Sequence, residues 1–380
     1  MSGDVNPRLA ALSAQGTSVW LDQIGRRLIE SGELARMAGE LSVRGVTSNP
    51  SIFEKAILES DDYHDELAAL AADGLSALEI YKRIAVRDVQ LGCEVLRPVW
   101  IAAGGADGFV SLEVAPGLAR DTTGETLREA REYWSLVDHP NLMIKIPGTP
   151  EGLDAIEQAI YEGINVNVTL LFSVERYAEV AEAFIRGLER RHAEGQSLEV
   201  HSVASFFVSR VDTMVDKQLA RSGREELAGQ AALANARAAY ARFKEIFDGD
   251  RFATLAAVGA PVQRPLWAST GTKNPDYSPV LYVDNLAGPR TVNTMPVKTL
   301  RAAAEVSDVS DATVEHDPAE VLARLAEAGI DMHAVTEQLL DDGIEAFVHS
   351  LDGLLAGIER RRAASAANGS PTGTGAGASG

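Results

Sequence analysis

Eight short apolar stretches, separated by longer segments of helical spacing, constrain this chain more than any other feature: SVWLD (18–22), GVTSN (45–49), GFVSLEV (108–114), LMIKI (142–146), NVNVTLLF (165–172), HSVASFFV (201–208), PLWAST (265–270) and RTVNTM (290–295). Strands that alternate with helices pair in parallel through right-handed crossovers. Eight such units predict an α/β fold, a closed (β/α)8 TIM barrel. The rival is an open doubly wound sheet, but no GxGxxG or GxxxxGK[ST] loop stands in the right place.

Helical spacing marks residues 77–96, 151–160 and 175–191. The connections after the second and sixth strands are longer than the rest and have room for extra helices, such as 224–247. Residues 318–329 and 331–362 read as further helices that lie against the outside of the barrel. One catalytic barrel domain over residues 1–362 is expected. From 363 to 380 the chain reads AASAANGSPTGTGAGASG, a low-complexity tail that cannot bury a core and is expected to be disordered.

The formal net charge of −20 over 380 residues repels nucleic acid and anionic lipid, so neither is an expected partner. No run reaches the roughly 18 apolar residues that span a bilayer, and MSGDVNPRLAAL does not read as a signal peptide. A cytoplasmic location and a monomer or homodimer are expected. Cys93 is the one cysteine, which excludes an internal disulfide or a cysteine-based metal cluster. Within VQLGCEVL it reads as a core thiol.

Side chains on a strand alternate between faces. Val166, Val168 and Leu170 share one face, opposite Asn165, Asn167 and Thr169. Val110, Leu112 and Val114 oppose Ser111 and Glu113, and Ile144 and Ile146 oppose Lys145. The apolar faces suit the helix layer, so the polar faces point into the barrel, where an unsatisfied polar group is costly. Asp22, Asn49, Glu113, Lys145, Thr169 and Ser205 fall at or near the C-terminal strand ends, where active sites of this architecture lie. A lysine amine taken out of water favours its neutral, nucleophilic form, which condenses with a ketone to a Schiff base. The protonated imine withdraws electrons, so that an adjacent C–C bond breaks. Asp22 and Glu113 suit the proton transfers, and the amides of Asn49 and Asn167 suit sugar hydroxyls. The plainer readings are a structural Lys–Glu pair, a satisfied core hydroxyl for Ser205, and a turn residue before Pro50 for Asn49.

Four segments, GVTSNPSIFEKAI (45–57), MIKIPGTPEGLDAI (143–156), INVNVTLLFSVERY (164–177) and VASFFVSRVDTMVD (203–216), resemble signature segments of transaldolase. The resemblance, to the longer bacterial form, runs from about residue 5 to residue 362. It implies a class I aldolase barrel that moves a dihydroxyacetone unit from sedoheptulose 7-phosphate to glyceraldehyde 3-phosphate, with no metal or organic cofactor. Sugar phosphates are then the small-molecule partners. By position, the resemblance makes Lys145 the Schiff-base lysine and Asp22 the acid/base of C–C cleavage. Glu113 and Thr169 match the pair that handles the catalytic water. Asn49 and Asn167 match the residues that hold the dihydroxyacetone hydroxyls, and Ser205 and Arg210 those near the phosphate. A guanidinium matches phosphate bidentately. The loop WASTGTKNPDYS (267–278) departs from the shorter enzymes, which carry an arginine there; Lys273 and Ser269 are its nearest equivalents.

Three alternatives stand beside this reading. A simple lyase of the same superfamily releases free dihydroxyacetone from fructose 6-phosphate, but tends to carry Gln at the Glu113 position and Tyr at the Phe207 position. A non-catalytic sugar-phosphate-binding barrel is compatible with the fold. Pyridoxal phosphate on Lys145 needs an anion cup and an acidic partner for its ring nitrogen, and no motif supplies them.

Overall fold

A computed structural model describes residues 5–368. The eight expected strands form one closed parallel barrel in chain order: β1 (Thr17–Leu21), β2 (Val43–Val46), β3 (Val110–Glu113), β4 (Leu142–Pro147), β5 (Val166–Leu171), β6 (Ser202–Phe207), β7 (Gln263–Ala268) and β8 (Thr291–Met295). Closure comes from β1 pairing with β8 over Thr17–Leu21, which leaves no free sheet edge. Asp22 and Asn49 lie just past their strands rather than within them.

Alternation along each strand builds the interior in layers. Near the N-terminal end, Asp107 accepts from Ser18 Oγ at 2.5 Å and from Trp20 Nε1 at 2.9 Å, and lies 3.3 Å from Arg264. Trp20 fills the middle of the barrel opposite Gly45, where a Cβ would stand only 2.3 Å from the indole. Above it, at the C-terminal ends, the layer is polar: Thr47, Glu113, Lys145, Asn167 and Ser205. Parallel register sets Glu113 beside Lys145, and Lys145 beside Asn167.

The long connections hold the expected extra helices. Pro50–Leu58, His64–Ala72 and Ala77–Ala102 follow β2, and Ser209–Ser222, Ala231–Phe247 and Asp250–Ala256 follow β6. The helix from Ala77 starts with a capping box between Ser76 and Glu79, continues past residue 96 through Pro98, and buries Cys93 completely. Among the described residues, no helix is long and apolar enough to cross a membrane.

Four expectations need correction. Residues 224–247 are not one helix: a 3-10 turn at Glu225–Leu227 and Gly229, with φ +72°, precede the helix that starts at Ala231. Leu170 does not simply face the helix layer. Its φ is +60° and the β5–β6 register shifts between Val168 and Leu171, a bulge that re-aims the side chain toward Gly343 of the last helix. Residues 331–362 do not lie against the outside. Met332–Asn368 is one helix that packs over the C-terminal mouth of the barrel, against Pro50–Leu58 and the end of β5. Its buried stripe, Leu339, Leu340, Gly343, Phe347, Leu354 and Ile358, finds its partner there. The helix also runs six residues past 362, through the alanine-rich AASAAN, consistent with alanine's helix propensity. The rest of the expected tail, 369–380, lies outside the described residues.

Candidate active site

Lys145 is 4% exposed, and its Nζ donates to the Ser48 carbonyl at 3.1 Å. The same nitrogen lies 3.2 Å from Glu113 Oε2. Neither oxygen of Glu113 has an aligned hydrogen bond, so this is a charge contact. Burial pushes the Glu113 carboxyl above the usual carboxylate range, against the pull of Lys145's charge, and Asp22's charge adds to the rise. A carboxyl in that state can hold a proton where an exposed glutamate would not.

Asp22 faces the same space from β1. Its backbone N–H donates to the Met295 carbonyl at 2.8 Å, which pins the residue to the end of β8. Its Oδ1 accepts from Thr47 Oγ1 at 2.7 Å, and Thr47 Oγ1 in turn lies 2.7 Å from Thr294 Oγ1. Burial raises the Asp22 pKa above its ordinary value, opposed by Lys145, the Thr47 hydrogen bond and Lys273. Two carboxyls with raised pKa values therefore flank one amine.

Asn167 is fully buried, with Nδ2 donating to Ser111 Oγ at 3.0 Å and Oδ1 accepting from Ser205 Oγ at 2.6 Å. Ser205 is thus a satisfied core hydroxyl that also lines the pocket. Thr169 Oγ1 is buried without a partner, one residue before the left-handed turn at Leu170. Asn49 is the N-cap of Pro50–Leu58: its Oδ1 accepts from Ile52 N at 3.0 Å. Asn49 is therefore a helix N-cap rather than the turn residue before Pro50 of the plainer reading; the cap occupies Oδ1 and leaves Nδ2 for the pocket.

The opposite wall is cationic. Arg210 is the second residue of Ser209–Ser222; its guanidinium lies 5.4 Å from the centroid of the Phe207 ring and makes no ion pair among the described residues. Burial lowers its pKa and Asp342 opposes that effect. Lys273 is exposed at the pocket rim. Ser269 takes φ +56°, a strained choice for a non-glycine residue, and is held by Ser209, Oγ to Oγ at 2.9 Å.

Asp22, Asn49, Lys145, Ser205, Arg210, Ser269 and Lys273 line one pocket of about 160 Å³. Glu113, Asn167 and Thr169 are buried beside it. A larger surface groove of about 590 Å³ is lined by Asp121, Glu151, Asp154, Glu157 and Arg190; its one arginine already pairs with Glu157, and it holds no amine nucleophile. Sequence reading missed Thr47, the Ser48 carbonyl and Phe347. Thr47 was detectable, two residues before Asn49 on the inward face of GVTSN. Phe347 carried no local signal. Among the described residues no cluster of three or more His, Cys, Asp or Glu side chains is arranged to hold a metal ion.

A family model described as Transaldolase/Fructose-6-phosphate aldolase matches residues 19–358. A Mycobacterium tuberculosis protein named Transaldolase is 50% identical over 358 residues, covering 92% of this chain and 96% of its own length. One of the same name from Thermobifida fusca is 50% identical over 363 residues, covering 94% and 98%. A third, from Mycolicibacterium smegmatis, is 49% identical over 357 residues, covering 92% and 96%. With the barrel, the buried lysine and near full-length similarity in hand, the chain belongs to the transaldolase/fructose-6-phosphate aldolase family.

Proposed function

We infer that the protein is a transaldolase: it takes a dihydroxyacetone unit from sedoheptulose 7-phosphate, hands it to glyceraldehyde 3-phosphate, and yields erythrose 4-phosphate and fructose 6-phosphate. The observation that carries this reading is the buried Lys145 amine, 3.2 Å from Glu113 Oε2, in a pocket whose other wall presents Arg210 and Lys273.

In this reading the Lys145 nitrogen adds to the ketose carbonyl carbon. Glu113 moves the protons that turn the carbinolamine into an imine and water. Glu113 and Thr169 both have unmet hydrogen-bonding capacity in the interior, which a water between them would satisfy. Asp22 then takes the proton from the hydroxyl on the far side of the scissile bond. The C–C bond breaks, its electrons flow into the imine as an enamine, and an aldose phosphate leaves. Asn49 Nδ2 and Asn167 hold the hydroxyls of the retained unit, while Ser205, Arg210 and Lys273 serve the phosphate end of whichever aldose is bound. The acceptor aldehyde enters and the steps run in reverse.

Glu113 and Phe207, where the related lyases tend to have Gln and Tyr, favour transfer over simple release. Borohydride reduction in the presence of fructose 6-phosphate tests the chemistry. A three-carbon adduct on the peptide containing Lys145 is expected, and Lys145→Ala is expected to abolish it while circular dichroism stays unchanged. An unmodified lysine at saturating substrate refutes the mechanism.

A further inference from the structure

The outer wall of the pocket comes from the far end of the chain. Phe347, 4% exposed, lies on the helix that crosses the barrel mouth. Its ring centroid is 5.8 Å from Lys145 Nζ and 5.8 Å from the Arg210 guanidinium carbon. It also meets the Phe207 ring edge-on, at 6.5 Å between centroids. One apolar ring therefore faces the proposed nucleophile, the proposed anion-binding cation and the Phe207 ring. A phenyl ring carries no proton, so its contribution is to exclude water and to fix the groups it faces.

The helix holds that ring at a set depth. Ser350 Oγ meets Ser51 Oγ at 2.6 Å, and Arg361 donates to the carbonyls of Ile57 at 2.9 Å and Leu58 at 2.7 Å. Gly343, one turn before Phe347, lies so close that a Cβ there would be 3.1 Å from Leu170 Cδ2 and 3.5 Å from Arg210 Nη1. Ten residues further along, a Cβ on Gly353 would be 2.6 Å from Glu54 Oε1. With contacts on both sides of Phe347, the ring is a fixed wall.

We propose that Phe347 is a positioning residue that makes transfer outrun hydrolysis, by keeping water from the lysine-bound three-carbon unit and by holding Arg210 toward the acceptor's phosphate. This rests on the Schiff-base reading above. In the hydrolytic side reaction the enamine carbon takes a proton and a water oxygen bonds to the imine carbon. The C–N bond then breaks with its electrons going to nitrogen; of that water's two protons, one ends on the nitrogen and the other replaces the proton given to the carbon, leaving its oxygen as the ketone oxygen. The products are free dihydroxyacetone and the regenerated amine, and no oxidant or reductant is needed. Without the wall, water reaches the intermediate before an acceptor does.

The test compares Phe347→Ala and Phe347→Leu with the unmodified protein. Free dihydroxyacetone released from fructose 6-phosphate alone is measured against transfer to erythrose 4-phosphate, with kcat and KM for the acceptor determined separately. Phe347→Ala is expected to raise the hydrolysis-to-transfer ratio about tenfold and to raise the acceptor KM, with Phe347→Leu between it and the unmodified protein. Borohydride trapping on Lys145 persists in both. An unchanged ratio in a folded, trappable Phe347→Ala protein overturns the proposal while leaving the Schiff base standing. Should that variant not fold, an unchanged ratio in Phe347→Leu overturns it equally. Absence of any adduct in the unmodified protein removes the Schiff base and this proposal together.

Discussion

Asp212 supplies a prediction whose size follows from its surroundings. It sits two residues after Arg210, 1% exposed. Its Oδ1 accepts from the Ala232 N–H at 2.8 Å and its Oδ2 from the Tyr282 hydroxyl at 2.8 Å. It thereby ties the helix bearing Arg210 to the segment that follows the Lys273 loop. Burial pushes its carboxyl up to about 6 from 3.8, although both donors pull it down and Asp216 pushes it further up. Between those two values the folded chain holds a proton that the unfolded chain has released, so stability falls as pH rises through the window. The full effect is about 3 kcal/mol, at about 1.36 kcal/mol per pKa unit, and about 2 kcal/mol of it falls between roughly pH 4.5 and 7.5. Asp212→Asn resembles the protonated acid and lacks this component. With an unfolding entropy of about 2.1 cal/mol/K per residue, the variant's melting temperature should gain about 2–3 °C on the unmodified protein across that range. Scanning calorimetry at four or five pH values reads this directly. Two curves that stay parallel refute the linkage argument, whatever their absolute separation.

Three further expectations concern the site, the barrel interior and an outer helix. Asp22→Asn keeps the Thr47 contact and removes the base, so transfer should slow about 10²–10⁴-fold; borohydride should then trap the whole six-carbon ketose phosphate on Lys145, and a three-carbon adduct at unmodified rate, read by peptide mass, contradicts the role. Gly45→Ala drives a methyl group into the Trp20 indole, 2.3 Å away, and should destabilise by at least about 1–3 kcal/mol. Gly39→Ala, in a helix with no atom within 4 Å of the new Cβ, should be neutral or stabilising, and equal melting temperatures for the two variants contradict the packing account.

The barrel and its inward polar layer were legible because a two-residue alternation is a local property. VNVT and LMIKI announce which side chains share a face, and parallel register then brings Glu113, Lys145 and Asn167 side by side. Less of the site's connectivity was visible. The plainer readings of Asn49 and Ser205 do not take them away from the pocket: one amide caps a helix with its oxygen while lining it, and one hydroxyl is satisfied while lining it. Both depend on which donors and acceptors meet across strands, and spacing along the chain does not report that. The bulge at Leu170 was hidden for a similar reason, since a positive φ in a leucine is imposed by its surroundings and not by its own preference.

By itself the sequence determined the eight strands, their parallel order, and the set of polar side chains turned inward, because period and strand–helix alternation encode all three locally. Tertiary structure alone decided where the last helix goes. An apolar stripe with helical periodicity says that a helix must be covered, but not by which surface. Here the surface is the barrel mouth, and so a phenylalanine 202 positions beyond Lys145 becomes part of the lysine's surroundings.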